Sequence, residues 1–169
     1  IIEMGMNHPG EIAYLARIAR PSVALVTNAQ RAHLEGMGTI EMIATEKGSV
    51  FVELDPQGVA VFLADDQWAA LWRKQCADRR IMNYSFEHPA DVTGRYLTHG
   101  LENQLEISVG GEQIEVSLAL PGAHNARNAL GAATVAVAAG IPLLAVRDGL
   151  NTFEGIKGRL QRRPGLNGA

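Results

Sequence analysis

Short apolar runs alternate with stretches of helical spacing over the first half of the chain. The apolar runs predict buried strands at residues 1–4, 23–26, 58–63 and 80–86. Apolar residues that recur every three or four positions predict helices between them, at residues 9–20, 40–54 and 66–76. A Gly-rich loop at 33–38 separates the second strand from its helix. Strands that alternate with helices pair in parallel under helical layers, so this half predicts an α/β fold.

The pattern changes in the second half of the chain. Apolar and polar residues alternate strictly at 105–109 and 114–120 on either side of Gly110-Gly111, which predicts an antiparallel hairpin with one solvated face. Residues 92–98 are expected to add a strand to it. An Ala-rich helix at 125–139 and a shorter helix at 143–150 follow. The predicted fold is therefore a mostly parallel sheet flanked by helices, with a small antiparallel part.

Composition narrows the class of protein. The chain has 169 residues, which suits one domain, and its formal charge of −3 provides no basic field for nucleic acid. The single Cys76 excludes an internal disulfide and fits a reducing, cytoplasmic compartment. No apolar run approaches the roughly 18 residues that span a bilayer, so no membrane insertion is expected. The pattern leaves the oligomeric state open, and both ends are expected to be cut from a longer protein.

Lys47 is the most informative candidate for chemistry. It falls in the middle of the apolar stripe of its helix, which is formed by residues 40, 43, 44, 50, 51 and 54. Burial lowers the pKa of an amine, and a neutral amine can bind phosphate, form a Schiff base or take up carbon dioxide as a carbamate. The alternative is that the stem packs while the charge reaches water, towards Glu46 or Glu53.

A carboxylate and an imidazole follow the first two predicted strands. Glu3 ends the first strand, and strand ends are where open α/β sheets bind ligands, so it is a candidate Mg²⁺ ligand. His33 follows the second strand and could ligate a metal or touch phosphate. The alternatives are an exposed or ion-paired Glu3 and a solvated His33.

Further polar side chains open the Ala-rich helix. His124, Asn125 and Asn128 lie there, and the two carboxamides share one helix face with donors and an acceptor that suit a purine edge. Asn125 could instead act only as a helix cap. Asp65 and Asp66 are weaker candidates, for a ribose, a metal or a cap.

The last candidate is Arg159, which lies in a basic run near the end of the chain. This run could face phosphates or be a solvated basic end. No Gly-x-x-x-x-Gly-Lys-[Ser/Thr] motif is present in the sequence, so a phosphate-cradling P-loop is absent from it.

Five segments, in order, resemble the sequence blocks of the Mur ligases. They are Ile-Glu-Met-Gly-Met-Asn-His-Pro-Gly-Glu-Ile (2–12), Thr-Asn with Ala-His-Leu-Glu-Gly-Met-Gly (27–28 and 32–38), Ala-Thr-Glu-Lys-Gly (44–48), Pro-Gly-Ala-His-Asn-Ala-Arg-Asn-Ala (121–129) and Gly-Arg-Leu (158–160). Gly10-Glu11-Ile12 is most similar to the branch that adds D-alanyl-D-alanine. Ser49 departs from that branch, which often has Glu there.

The resemblance implies roles for these residues. It implies that residues 1–169 are a single central ATP-binding domain that lacks the P-loop, the N-terminal uridine-binding domain and the C-terminal domain. ATP and Mg²⁺ are the implied cofactors. Glu3, His33 and a carbamylated Lys47 would hold the metal, His124, Asn125 and Asn128 would frame the adenine, Arg159 would approach the nucleotide, and Thr27 and Asn28 would contact substrate.

The same resemblance implies a reaction. A UDP-N-acetylmuramoyl tripeptide would be activated by ATP as an acyl phosphate and joined to D-alanyl-D-alanine, in peptidoglycan precursor synthesis. The isolated fragment is expected to be inactive. The alternatives are another ligase of this superfamily, such as the one adding the third amino acid or a folylpolyglutamate synthase, and a non-catalytic nucleotide-binding module.

Overall fold

The computed structural model describes residues 1–30, 34–100 and 102–155. In these ranges the strands are β1 (Val23–Val26), β2 (Val59–Leu63), β3 (Arg80–Ser85), β4 (Val92–His99), β5 (Glu102–Val109) and β6 (Glu112–Leu118). The helices are α1 (Glu11–Ala19), α2 (Leu34–Met37), α3 (Ile40–Val52), α4 (Ala69–Cys76), α5 (Ala123–Ala138) and α6 (Leu143–Asn151).

The strands form one sheet whose spatial order follows the sequence, from β1 to β6. Strands β1 to β4 pair in parallel, and β4 to β6 pair antiparallel. The parallel seam between β3 and β4 is short. There the side chains of Asn83 and Asp91 each accept the other residue's backbone N–H, at 3.1 and 2.8 Å. The predicted fold class is confirmed.

Helices cover both faces of the sheet because the strand side chains alternate between two cores. Ala60 and Phe62 of β2 pack towards α1, α3 and α4, with Trp72 of α4 at the centre. Val59 and Val61, on the opposite face, pack towards α5 and α6. The near-continuous apolar run of β2, buried on both faces, is the pattern expected of a central parallel strand.

Two local predictions are wrong. Residues 1–4 form no strand: Ile1, Ile2 and Glu3 are exposed, and only Met4 packs against the core. A β-strand is defined by its hydrogen bonds to a neighbouring strand. Residues 1–4 pair with none of the strands β1 to β6, and β1 is the edge strand of the described sheet. The loop predicted at 33–38 contains the short helix α2, where a Cβ on Gly36 would overlap the carbonyl oxygen of Asn7. The first two sequence blocks therefore touch at Gly36.

Candidate functional site

Helix α3 directs Lys47 towards the carboxyl end of β1. The side chain is half-buried, and its Nζ donates to the carbonyl oxygen of Asn28 at 2.8 Å. Burial lowers the pKa of this amine, while the carboxylate of Asp66 opposes that shift. The predicted burial is therefore seen in part, and the nitrogen reaches neither Glu46 nor Glu53 but a backbone carbonyl.

Glu46, the residue before Lys47, has a structural role that sequence reasoning missed. Its buried carboxylate accepts the backbone N–H groups of Gly10 and Ile12, at 2.9 and 2.8 Å. These N–H groups belong to the start of α1, where the local N-cap residue is a glycine without a side chain. Glu46 thus caps α1 from another helix. The only signal in the sequence is a carboxylate at an inward position of α3.

Gly48, the residue after Lys47, allows α3 and α4 to approach closely. A Cβ at Gly48 would lie 2.7 Å from Cδ1 of Trp72 and would overlap the side chain of Gln75. Across the same contact, Trp72 Nε1 donates to the Ala44 carbonyl at 2.9 Å and Gln75 Nε2 donates to the Thr45 carbonyl at 2.8 Å. The block at 44–48 therefore fixes the position from which Lys47 projects.

A cavity of about 420 Å³ lies where the carboxyl ends of β1, β2 and β3 meet the start of α5. We call it the polar cleft. The strand ends contribute Thr27, Asn28, Asp65 and Asp66 to its lining, and α5 contributes His124, Arg127 and Asn128. This is the edge at which parallel sheets bind ligands.

A second cavity, of about 530 Å³, lies against α5 and α6. We call it the apolar cleft, because Leu118, Leu120, Ala129, Leu150 and Phe153 are among its lining residues. His124 and Asn128 line both clefts, so the two adjoin along one face of α5. Asn125 lines the apolar cleft but not the polar cleft.

The start of α5 is held by two asparagines. Asn125 donates to the carbonyl of Pro121 at 2.7 Å, so part of its role is structural, although it is not the N-cap residue. Asn103, fully buried in β5, donates to the carbonyls of Leu120 and Gly122, both at 2.9 Å. Sequence reasoning missed Asn103, because its partners are backbone atoms far along the chain.

The two aspartates after β2 have different surroundings. Asp65 accepts Ser85 Oγ at 2.7 Å and lies 2.6 Å from His88 Nδ1. Burial raises the pKa of Asp65, but the hydrogen bonds from Ser85, His88 and the backbone of Phe86 outweigh it and hold the pKa below its ordinary value. Asp66 accepts the Trp68 N–H at 2.9 Å, and burial raises its pKa against the opposing effect of Lys47. The turn around Asp66 delays the start of α4, predicted at residue 66, until Ala69.

The structure brings some of the predicted site residues together at the polar cleft, but not all of them. Thr27, Asn28, His124 and Asn128 line the polar cleft, and Lys47 reaches it through Asn28. Glu3 is exposed and forms no hydrogen bond or ion pair with the part of the chain described. His33 and Arg159 lie outside the described residues. Among the residues that are described, no three His, Cys, Asp or Glu side chains are grouped to hold a metal ion.

Known proteins match most of this chain in sequence. The sequence model of the Mur ligase middle domain matches residues 1–136. The UDP-N-acetylmuramoyl-tripeptide–D-alanyl-D-alanine ligase of Escherichia coli (strain K12) is 37% identical over 164 residues, which cover 95% of this chain and 36% of that protein. The UDP-N-acetylmuramate–L-alanine ligase of Saccharopolyspora erythraea is 37% identical over 147 residues, which cover 83% of this chain and 30% of that protein.

The likeness extends to solved structures. A crystal structure of MurF from Acinetobacter baumannii superposes with a TM-score of 0.89 at 31% identity, over 95% of this chain and 35% of that one. The chain thus spans about a third of the length of the relatives it matches. No helix in the described ranges is long and apolar enough to cross a membrane. The match of the family model over residues 1–136 shows that the chain belongs to the Mur ligase family, as a middle domain.

Proposed function

We propose that this chain is the nucleotide-binding middle domain of an ATP-dependent amide ligase. In this proposal the whole protein joins D-alanyl-D-alanine to a UDP-N-acetylmuramoyl tripeptide, in the cytoplasm, during peptidoglycan precursor synthesis. The observation that carries the proposal is the meeting of two clefts at His124 and Asn128, one of which is lined by Asn28, the hydrogen-bond partner of the half-buried Lys47.

The apolar cleft fits the base of an adenine nucleotide. Its aliphatic and aromatic lining suits a flat heterocycle, and the exposed carboxamide of Asn128 offers both donors and an acceptor to the ring edge. Asn125 supports this wall through its hydrogen bond to Pro121. The ribose and phosphates would then extend past His124 and Asn128 into the polar cleft.

Lys47 fits conversion to a carbamate. Its lowered pKa increases the neutral amine that reacts with carbon dioxide, and a carbamate nitrogen keeps one hydrogen for the carbonyl of Asn28. A new anion beside Asp66 would favour a cation between them. In the proposal Glu3, His33 and the carbamate hold Mg²⁺, whose chemistry when bound is to neutralise charge on the phosphates.

The proposed reaction has two steps, for which the domain provides position. A carboxylate oxygen of the tripeptide attacks the γ-phosphorus of ATP, ADP leaves, and an acyl phosphate forms. The amine of D-alanyl-D-alanine then attacks the acyl carbon, loses a proton, and phosphate leaves as the amide forms. Thr27 and Asn28 would contact the tripeptide at the end of β1. Holding both anions in one geometry accounts for much of the acceleration.

The choice of D-alanyl-D-alanine as the incoming amine has its own support. At equal identity, the relative whose name carries that dipeptide matches 95% of this chain, while the relative named for L-alanine matches 83%. The sequence from Gly10 to Ile12 points in the same direction. Glu11 of this segment accepts the backbone N–H of His8 at 3.0 Å, which gives the segment a defined turn.

A titration of the ¹⁵N-labelled chain with adenosine and with ADP, followed by NMR, tests nucleotide binding. Backbone signals at the start of α5 and beside the apolar cleft should shift with both compounds. The same chain should release no phosphate from ATP in the presence of both co-substrates. An absence of shifts at millimolar nucleotide would contradict the proposal, whereas phosphate release would show that the chain is catalytically sufficient.

A chimera tests whether this domain serves a ligase of the D-alanyl-D-alanine branch. This chain would replace the matching third of the Escherichia coli D-alanyl-D-alanine ligase, and product formation would be measured with D-alanyl-D-alanine and with L-alanine. Turnover with D-alanyl-D-alanine is expected. A folded chimera without turnover would contradict the assignment of this domain to that branch.

A further inference from the structure

Arg127 is a cation of the polar cleft for which the proposed function has no role yet. It lies on α5 one residue before Asn128, its side chain is exposed, and it lines the polar cleft but not the apolar cleft. Within the described residues its guanidinium forms no ion pair, although Asp65, Asp66 and Glu87 line the same cavity.

Two of the three carboxylates on the polar cleft already have other partners. Asp65 is held by Ser85 and His88. Asp66 accepts the N–H of Trp68 and interacts electrostatically with Lys47. The charges of Asp65 and Asp66 are therefore engaged on the strand side of the cleft, while Glu87 is exposed and forms no ion pair within the described residues. Arg127 lines the same cleft from α5.

The electrostatics of Tyr84 agree with the position of Arg127 on the polar cleft. Tyr84 is buried beneath α5, where its hydroxyl occupies the space left by the missing side chain of Gly131. Burial and the carboxylate of Asp66 raise the pKa of this tyrosine, and Arg127 opposes the rise. The guanidinium and Asp66 thus act on the same buried ring, which agrees with the position of both on the polar cleft.

We propose that Arg127 binds phosphate oxygens of the nucleotide whose base occupies the apolar cleft. This inference rests on the proposed function. The two clefts adjoin at His124 and Asn128, so a ligand with its base in the apolar cleft carries its phosphates into the polar one. A guanidinium presents a planar fork of donors that matches two phosphate oxygens, and the charge on both partners strengthens the hydrogen bonds.

Arg127 is a specificity-determining residue in this inference. It would favour a nucleotide over the bare nucleoside, while the apolar cleft holds the part that both share. Removing the guanidinium should therefore weaken ADP binding and leave adenosine binding unchanged. A side chain that only shapes the cleft would affect both ligands equally.

The experiment compares Arg127→Gln, Arg127→Lys and the control Arg80→Gln with the unaltered chain. Arg80 is also exposed, but it begins β3 at the opposite edge of the sheet from the clefts. Dissociation constants for adenosine and for ADP would be measured by NMR titration of each chain, and thermal unfolding would confirm that each is folded.

We expect Arg127→Gln to raise the Kd for ADP about tenfold, as for the loss of one charge-assisted interaction, with adenosine unchanged. Arg127→Lys, which keeps the charge but not the fork, should give an intermediate Kd, and Arg80→Gln should match the unaltered chain. An unchanged ADP affinity in Arg127→Gln, or an equal loss for adenosine, overturns the inference and leaves the proposed function intact. If the unaltered chain binds neither compound, the proposed function fails first.

Discussion

Lys47 Nζ lies 2.8 Å from the carbonyl oxygen of Asn28, so a side chain of α3 closes onto the loop that follows β1. This hydrogen bond uses one hydrogen of the nitrogen, and a carbamate retains one. The contact therefore accommodates the free amine and its carbon dioxide adduct without rearrangement of the backbone.

Incubation with ¹³C-bicarbonate should give a protein-bound carbamate signal in the NMR spectrum of the unaltered chain. The half-buried position of Lys47 favours the reactive neutral amine. Lys47→Arg should abolish the signal, whereas Lys74→Arg, on the exposed face of α4, should keep it. A signal that persists in Lys47→Arg would assign the carbamate to another amine.

Asn125 and Asn128 should separate into a structural and a ligand-binding residue. Asn125→Ala removes the hydrogen bond to Pro121 and should lower the free energy of unfolding by about 1 kcal/mol. Asn128→Ala, at an exposed position, should leave stability unchanged and raise the Kd for adenosine several-fold. Unfolding in denaturant and NMR titration measure the two effects. Equal effects of both substitutions on stability would give Asn128 a structural role.

Glu46→Gln should destabilise the chain by about 1 to 3 kcal/mol, because an amide cannot replace a buried carboxylate that accepts two backbone N–H groups. Urea unfolding measures the change. Glu41→Gln, on the exposed side of the same helix, is the matched control and should be nearly neutral. If the two variants are equally stable, the cap on α1 contributes little.

Gly48→Ala and Gly149→Ala should have opposite effects. The added methyl at Gly48 would overlap Trp72 and Gln75, so a loss of about 1 to 3 kcal/mol is expected. The methyl at Gly149 of α6 meets no atom within 4 Å. In that helix it should stabilise by up to about 1 kcal/mol, since Ala is the better helix former. Thermal unfolding of both variants measures these changes in stability. A Gly48→Ala variant as stable as the unaltered chain would show that α4 can move away from α3 to make room for the methyl group.

Glu11 should make stability depend on pH in the acid range. Its pKa falls from 4.5 to about 2, because it accepts the backbone N–H groups of Asn7 and His8 and contacts the His8 ring. A carboxylate whose pKa is lowered on folding stabilises the fold fully above its unfolded value. The stability difference between the unaltered chain and Glu11→Gln should thus be constant above pH 4.5 and shrink as the pH falls towards 2. A difference that does not change with pH would exclude this carboxylate as the cause.

The local periodicity of apolar residues was sufficient to predict the strands from β1 to β6 and the position of Lys47 on its helix. Both depend on which side of an element faces the core. It was not sufficient for Glu46 or Asn103, whose partners are backbone groups of distant segments. Residues 1–4 have the composition of a strand, but a ladder also requires a neighbour. The pairing of His124 and Asn128 with the ends of β1 and β2 depends on how α5 returns to the sheet, which spacing along the chain does not encode.

That return has a consequence for biosynthesis. Strands β1 to β3 are complete by Ser85, yet the wall they face begins at Ala123, after the whole antiparallel part has been made. During translation, the strands that form the base of the polar cleft are therefore complete well before α5, the helix that encloses the cleft. The polar cleft therefore has both of its walls only after α5 has been translated, near the end of the described part of the domain.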